Sequence, residues 1–505
     1  MEGNVKVLSA SQLREADRFT IGNEPVDSID LMERAAKAFA DWFTEKFNPS
    51  HRVHIFCGMG NNGGDGLAIT RLLHQLNYAV VAYAVRYAAP PSKDFIVNEQ
   101  RLKKLRVKMN DIRADNAFPV IQQNEIIVDG LWGSGLNRPV EGFAAQLIQH
   151  LNAARATRVA IDIPSGLYAD SKSVSVRFKA DFTLSFELPK LSFFLPENEE
   201  WVGEWEVRGI GLHPAFLQQA QTSNFFLTTD FAKELILPRK KFAHKGTYGH
   251  ALIVSGSYGK MGAACLCAEA CLRAGAGLVT AFIPKCGYEI MQTKVPEAMA
   301  ITDRNKDFLT AMPELSSYKA VGIGPGIGTK AATAKALGRL IKKADFPLVL
   351  DADALNILSE NKAWLKSLPE NSILTPHPKE FERLFGKAKD DYAQFELLKE
   401  SAVKYRAVIV LKRAYTCIAS PDGSAWFNST GNPGMATGGT GDVLTGIITG
   451  LLCQGYSPLN SALLGVYWHG LAGDLAAGAI SVPCLVAGDI IRYLGIAFKK
   501  LAASG

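Results

Sequence analysis

Two hydrophobic rhythms alternate along the chain. Short apolar runs rich in β-branched and aromatic residues, RVHIFCG, YAVVAYAV, EIIVDG and RVAIDIPSG, read as buried strands. Between them, stretches such as GLAITRLLHQLN return an apolar residue every three or four positions, as one face of a helix does. This alternation predicts a parallel sheet with helices on both faces, because parallel neighbours need crossovers that cover the sheet. From Phe216 to Lys245 the rhythm breaks into QQAQTSNFF and then the basic LPRKKFAHKGTYG, which predicts a boundary. Beyond it ALIVSGS, AVGIGPG, PLVLDAD and AVIVLKRA read as strands with helices between, and SPDGSAW reads as a hairpin turn. The expectation is an α/β chain of two domains, residues 1–222 and residues 223–505, the first Rossmann-like with three layers. No short internal repeat is present.

Composition narrows the function classes. A chain of 505 residues exceeds one ordinary domain, and 48% hydrophobic with 21% charged residues excludes disordered and fibrous classes. The net charge of +6 is spread out, and its longest cluster, Arg239-Lys240-Lys241, reads as solvated surface, so no nucleic-acid partner is expected. No apolar run reaches roughly 18 residues, and the opening MEGNVKVLSASQLREADRF carries acidic residues. A cytoplasmic protein without membrane association is therefore expected. The eight cysteines include no C-x-x-C pair, and Cys265, Cys267 and Cys271 fall on an Ala-rich helical stretch where positions two apart face different sides. Buried free thiols are expected there rather than a metal site.

The first candidate chemistry is CGMGNNGGDG, in which Gly58, Gly60 and Gly63 make a G-x-G-x-x-G after a strand and before a helix, suited to a phosphate at the helix amino terminus. A redox dinucleotide site would add an acidic residue about 20 positions on. Here the next strand ends AYAVRYAAP, which offers only Arg86 and leaves a phosphorylated ribose open. Other strand ends carry more: Asp129 closes EIIVD, and Asp162 closes RVAID ahead of Ser165. Ligands of open α/β sheets bind at the carboxyl ends of strands, so Asn61, Asn62, Asp65, Asp129, Asp162 and Ser165 should converge on one crevice. Such an oxygen-rich set suits a hard cation or polar catalysis; helix capping is the plainer alternative for each residue alone.

GNNGGDG, VDGLWGSGL and IDIPSG, preceded by LMERAA, resemble the NAD(P)H-hydrate epimerase domain. The resemblance implies a substrate that is a nicotinamide cofactor damaged by hydration at ring carbon 6. It implies K+ ligands at Asn62, Asp129 and Ser165, and substrate contacts at Asn61, Asn62, Gly63, Gly64 and Asp65, at Gly133, Ser134, Gly135, Leu136, Asn137, Arg138 and Pro139, and at Asp162. Asp162 is the expected proton-transfer residue, since a carboxylate there can accept and return a proton.

In the second half, GNPGMATGGTGDVLTG sets Gly438, Gly439 and Gly441 before Asp442 and an apolar helical run. Glycines there let several N–H groups face one point, an anion hole for a transferring phosphoryl group, with Asp442 as the base. A purely structural helix cap is the alternative. GSYGKMG lacks the G-K-[ST] of a P-loop but opens a helix, and GIGPGIG follows a strand. His377 stands between two prolines in LTPHPKE and Lys412 follows AVIVL; a loop histidine and a surface lysine are the plain alternatives.

Together HKGTYGHALIVSGS, GPGIG, DADALN, LTPHPKE, VLK and GNPGMATGGTGDVLTG resemble the ADP-dependent NAD(P)H-hydrate dehydratase domain, which implies a ribokinase-like fold for the second half. In this order the two resemblances cover nearly the whole chain and match the fused repair enzymes. They imply NADH hydrate and NADPH hydrate as substrates, with Mg2+ and ADP or ATP consumed in the second half. They imply substrate contacts at Ala263, Gly326, His377 and Asp442, and nucleotide contacts at Lys412, Arg413, Ala414, Tyr415, Thr416, Gly438, Gly439 and Gly441. Arg413 departs from the related pattern, which commonly has a small residue there. The rival reading is a small-molecule kinase of the same fold with a non-catalytic nucleotide-binding first domain, and a homo-oligomer is expected in either case.

Overall fold

The computed structural model describes residues 5–87 and 90–503; the opening MEGN and part of the AYAVRYAAP stretch lie outside them. Contacts divide the chain into two units, Lys6–Thr222 and Ser223–Gly505, with Val5 going with the second. The first unit has a seven-stranded sheet in the order Met109–Ile112, Ala79–Val85, Arg52–Cys57, Ile126–Gly130, Thr157–Ile161, Phe182–Phe186, Glu204–Arg208. Every neighbouring pair is parallel. The two-residue period of a strand sends Val53, Ile55 and Cys57 into one core with Phe39, Phe43, Leu67 and Phe95. It sends Phe56 into the opposite core with Leu147, Ile148 and Leu151 of helix Gly142–Ala153. Helix layers on both faces make the Rossmann-like three-layer arrangement expected of the strand–helix rhythm. The chain first winds outward from Arg52–Cys57, then returns to its other side with Ile126–Gly130. That reversal is the switch point where ligands of open sheets bind.

The second unit repeats this logic. Its parallel strands run Met299–Thr302, Leu278–Ile283, His250–Val254, Ala320–Ile323, Leu348–Leu350, Ile373–Leu374, Val408–Leu411. The antiparallel hairpin Cys417–Ala419 and Ala425–Asn428 follows, turning at SPDGS as the sequence foretold. Asn224–Leu227 pairs parallel to the hairpin's outer strand. The switch point lies between His250–Val254 and Ala320–Ile323, whose ends carry the GSYGKMG and GIGPGIG loops. Helices Met261–Arg273 and Thr440–Cys453 meet closely through Gly446 and Gly450, which bed on the carbonyls of Cys267 and Cys271. Cys265, Cys267 and Cys271 are buried free thiols. Among the described residues no helix is long and apolar enough to cross a membrane.

Candidate functional site

At the first switch point, helix Asn61–Gln75 starts directly after the glycine loop. The loop folds so tightly that a β-carbon at Gly63 would lie 1.7 Å from the Gly58 carbonyl oxygen. This brings the buried Asn62 beside Gly133 of the second glycine loop, 3.3 Å from where a β-carbon there would stand. Asp129 is fully buried on its strand, and its carboxylate accepts the Ser165 N–H at 2.7 Å, the Ser165 hydroxyl at 2.7 Å and the Leu131 N–H at 3.1 Å. Burial raises the Asp129 pKa to about 6 against the pull of those bonds. Among the described residues the Asp129 carboxylate has only these neutral donors as partners. A buried carboxylate without a counter-charge, with the Ser165 hydroxyl oxygen beside it, has the oxygen chemistry that a hard cation takes.

The remaining carboxylates form a second group in the same unit. Asp162 takes a left-handed conformation, φ +64°, just past its strand. Its Oδ1 accepts Lys190 Nζ at 2.5 Å and the Phe186 N–H at 3.1 Å. Lys190 is 1% exposed and also donates to Ser185 Oγ, Phe186 O and Leu188 O, so every ammonium hydrogen is used. The half-buried Asp65 is held well above the usual carboxylate range by burial and then by the charges of Asp162, Asp17 and Asp94. The first unit thus combines an ion-paired carboxylate with a carboxyl whose pKa burial pushes up, the contrast that acid–base chemistry uses. Asn61, Gly135, Asn137, Arg138 and Pro139 are exposed, while Ser134 and Leu136 are half-buried. Arg86, open in sequence as a phosphate reader, is instead committed to Glu99 and Asp111. Lys190 escaped the sequence reading; its only signal is a lone lysine inside the apolar stretch ELPKLSFF.

In the second unit the helix Thr440–Cys453 starts at Gly439, which has φ +93°. Gly438 is exposed, with open space where a side chain would go. Asp442 sits in the first turn, and burial, then the charge of Asp351, raises its pKa to about 7 while Lys412 opposes. Asp351 is 1% exposed and accepts Lys412 Nζ at 2.8 Å and Thr445 Oγ1 at 2.8 Å. Lys412 also lies 3.4 Å from where a β-carbon on Gly441 would stand, so strand end and helix start share one charge cluster.

The two glycine loops join through the Ser257 hydroxyl, which donates to Gly326 O at 2.6 Å. A β-carbon at Gly326 would lie 3.3 Å from the Ala263 methyl. Asp353 accepts the Gly328 N–H at 2.8 Å and pairs with Lys260. His377 caps helix Pro378–Phe385, its Nδ1 accepting the Lys379 and Glu380 N–H groups. Burial, then the charge of Lys412, lowers its pKa, which favours the neutral ring. Arg413 turns its guanidinium to Asp391 and Gln394, and Thr416 closes the turn by accepting the Arg413 N–H and donating to its carbonyl. Ala414 is exposed on that turn and Tyr415 half-buried.

Comparison with known proteins agrees with this layout. The family model described as NAD(P)H-hydrate dehydratase matches residues 251–494, and that of the YjeF-related protein N-terminus matches residues 28–192. The bifunctional NAD(P)H-hydrate repair enzyme of Moorella thermoacetica is 35% identical over 98% of this chain and 97% of its own. That of Coxiella burnetii is 34% identical over 96% of this chain and 98% of its own. A ribokinase-like superfamily protein from Enterococcus faecalis is 28% identical, covers 56% of this chain and 98% of its own, and superposes with a TM-score of 0.50. The second unit accordingly has the ribokinase-like fold.

Proposed function

The chain belongs to the family of bifunctional NAD(P)H-hydrate repair enzymes, and on that premise we propose how its two units divide the work. The first interconverts the R and S epimers of NADH hydrate and NADPH hydrate. The second dehydrates the S epimer to NADH or NADPH, consuming ADP or ATP and releasing phosphate. The reading is carried by the presence, in one chain, of the Asp162–Lys190 crevice and of Asp442 at a glycine-lined helix start.

In the first unit the substrate lies along Asn61–Asp65 and Gly133–Pro139, with its hydrated ring toward Asp162. Protonation lets the ring hydroxyl leave as water while the ring nitrogen's electron pair makes carbon 6 planar. Water returning to the opposite face gives up its proton and inverts the centre. Asp65, whose pKa burial pushes up, is the donor, and Asp162, paired with Lys190, takes the proton back. Asp129 and Ser165, with the Asn62 amide oxygen, would hold K+, which supplies the counter-charge that the buried Asp129 otherwise lacks.

In the second unit the substrate lies against Ala263, Gly326 and His377, and the nucleotide against Lys412–Thr416 with Gly438, Gly439 and Gly441. Asp442 removes the ring hydroxyl's proton as its oxygen attacks the terminal phosphorus, and the N–H groups at the helix start face the transferring group. Hydroxide is a poor leaving group and phosphate a good one, so phosphate departs with assistance from the ring nitrogen, and loss of the proton at carbon 5 restores the dihydronicotinamide. Mg2+ would arrive with the nucleotide and neutralise its phosphate charge. We also place this enzyme in the cytoplasm as a homo-oligomer, a setting in which its eight free thiols stay reduced.

Product analysis tests the reading. Incubation with ADP or ATP should give inorganic phosphate and reduced nicotinamide in equal amounts. A stable phosphorylated product would instead identify a small-molecule kinase.

A further inference from the structure

Helix Pro458–Ala479 beds Gly465 on Ile448 of helix Thr440–Cys453, and Asp474 is the only Asp, Glu, Lys or Arg among its 22 residues. A lone carboxylate on so apolar a helix is costly unless its oxygens are hydrogen-bonded. Both are. Oδ2 accepts the Gly431 N–H at 2.9 Å, and Oδ1 accepts Asn432 Nδ2 at 2.9 Å. Both partners are donors, so an acceptor-only carboxylate suits them; an amide would turn a donor onto one of the two. These partners open the segment 431–439, which leads from strand Ala425–Asn428 to the helix start that carries Asp442.

The same face of the helix holds the segment at further points, since residues three and four apart share a face. The Tyr467 carbonyl accepts Thr430 Oγ1 at 2.8 Å. Gly470 lies on Thr430 and Gly473 on the Met435 thioether, each too close for a β-carbon to fit. From this anchor, hydrogen bonds run on to the site. Asn432, its amide nitrogen held by Asp474, accepts the Gly434 N–H on Oδ1 at 3.0 Å and so caps the turn Pro433–Met435. Thr440 Oγ1 shares its hydrogen between the Met435 and Thr437 carbonyls, each at 3.0 Å. Thr440 is the first residue of its helix, and Asp442 stands in the same turn. Glycines at 431, 434, 438 and 439 give the segment little stiffness of its own, so what holds it comes from outside.

We infer that Asp474 is a positioning residue of the second activity. It fixes the segment 431–439 so that the N–H groups at the start of helix Thr440–Cys453, and Asp442 with them, keep the arrangement that phosphoryl transfer needs. It acts through Asn432 and Thr440 and not on the reacting atoms.

The inference rests on the dehydratase reading of the second unit, so its test has one readout that needs no turnover. Amide hydrogen exchange across residues 431–441 is compared for the wild type, Asp474→Asn and Asp474→Glu, alongside dehydration of the S epimer, epimer interconversion and thermal unfolding. Asp474→Asn is expected to speed exchange in this segment and not in the strands of the sheet. It should lower the dehydration kcat roughly 10- to 100-fold at unchanged KM for the hydrate, with epimer interconversion as in the wild type. Asp474→Glu, which keeps both acceptors, should recover most of the loss. Wild-type exchange and kcat in Asp474→Asn would overturn the inference. So would faster exchange throughout the second unit, with a lowered unfolding midpoint and the same kcat loss in both variants, which would mark Asp474 as a support of the fold alone. No dehydration by the wild type would sink the dehydratase reading instead, and exchange would then decide the anchoring by itself.

Discussion

Asp442 sets the pH behaviour of the second activity. In the proposed mechanism it acts as a base, so dehydration should rise as pH climbs through about 7, where the carboxylate forms. Asp442→Asn should lower the dehydration kcat by about 10²- to 10⁴-fold and leave epimerisation intact; initial rates on each epimer check both. The same shift bears on stability. Its pKa rises from 3.8 unfolded to about 7 folded, so the folded state binds the extra proton, and this contribution, complete below 3.8, is lost as pH rises through about 7. Asp442→Asn should therefore raise the unfolding midpoint at pH above that value, read by calorimetry. At Ser165, replacement by Ala removes the hydroxyl bridging Asp129 and the Trp132 backbone. The expected result is loss of any rise in the unfolding midpoint on adding K+, which a titration against Na+ checks. The positions of Asp129, Asp162 and Asp442 were legible in sequence because each stands beside a glycine-marked strand end or helix start. Lys190 was not, since its bond to Asp162 spans 28 positions and no local motif marks it. Nor was the engagement of Arg86, whose partners come from another helix and a neighbouring strand.

The element that most constrains the second site is helix Thr440–Cys453, because its first turn carries Asp442, the proposed base, and its packing face is pinned to helix Met261–Arg273. Gly439 begins it at φ +93°, where a β-carbon would meet Leu266 Cδ1 at 2.7 Å and Ala487 Cβ at 3.1 Å. Gly439→Ala should cost about 1–3 kcal/mol of stability and reduce kcat for dehydration by turning the N–H groups away; denaturant melts and steady-state rates measure the two effects. Most strands were readable because runs such as HALIV and AVVAYAV are buried on both faces, which leaves near-continuous apolar sequence. Strand order was not. It is fixed by which crossover packs where, so the reversal that places Ile126–Gly130 beside Arg52–Cys57 has no trace in the local pattern.

At the scale of the whole molecule, two units with separate cores and separate switch points carry the two activities. Substitutions should therefore disable one activity and spare the other. Asp162→Asn removes the Lys190 partner and should stop use of the R epimer while the S epimer is still consumed. Mixing Asp162→Asn with Asp442→Asn protein should restore full conversion, since each chain supplies what the other lacks. The measurement that tests the account most directly is recovery of reduced-nicotinamide absorbance from a mixture of both hydrate epimers, with protein, K+, Mg2+ and ADP or ATP present. The account expects complete recovery with at least one nucleotide. Recovery that halts when the S epimer is exhausted, or no recovery with either nucleotide, would contradict it.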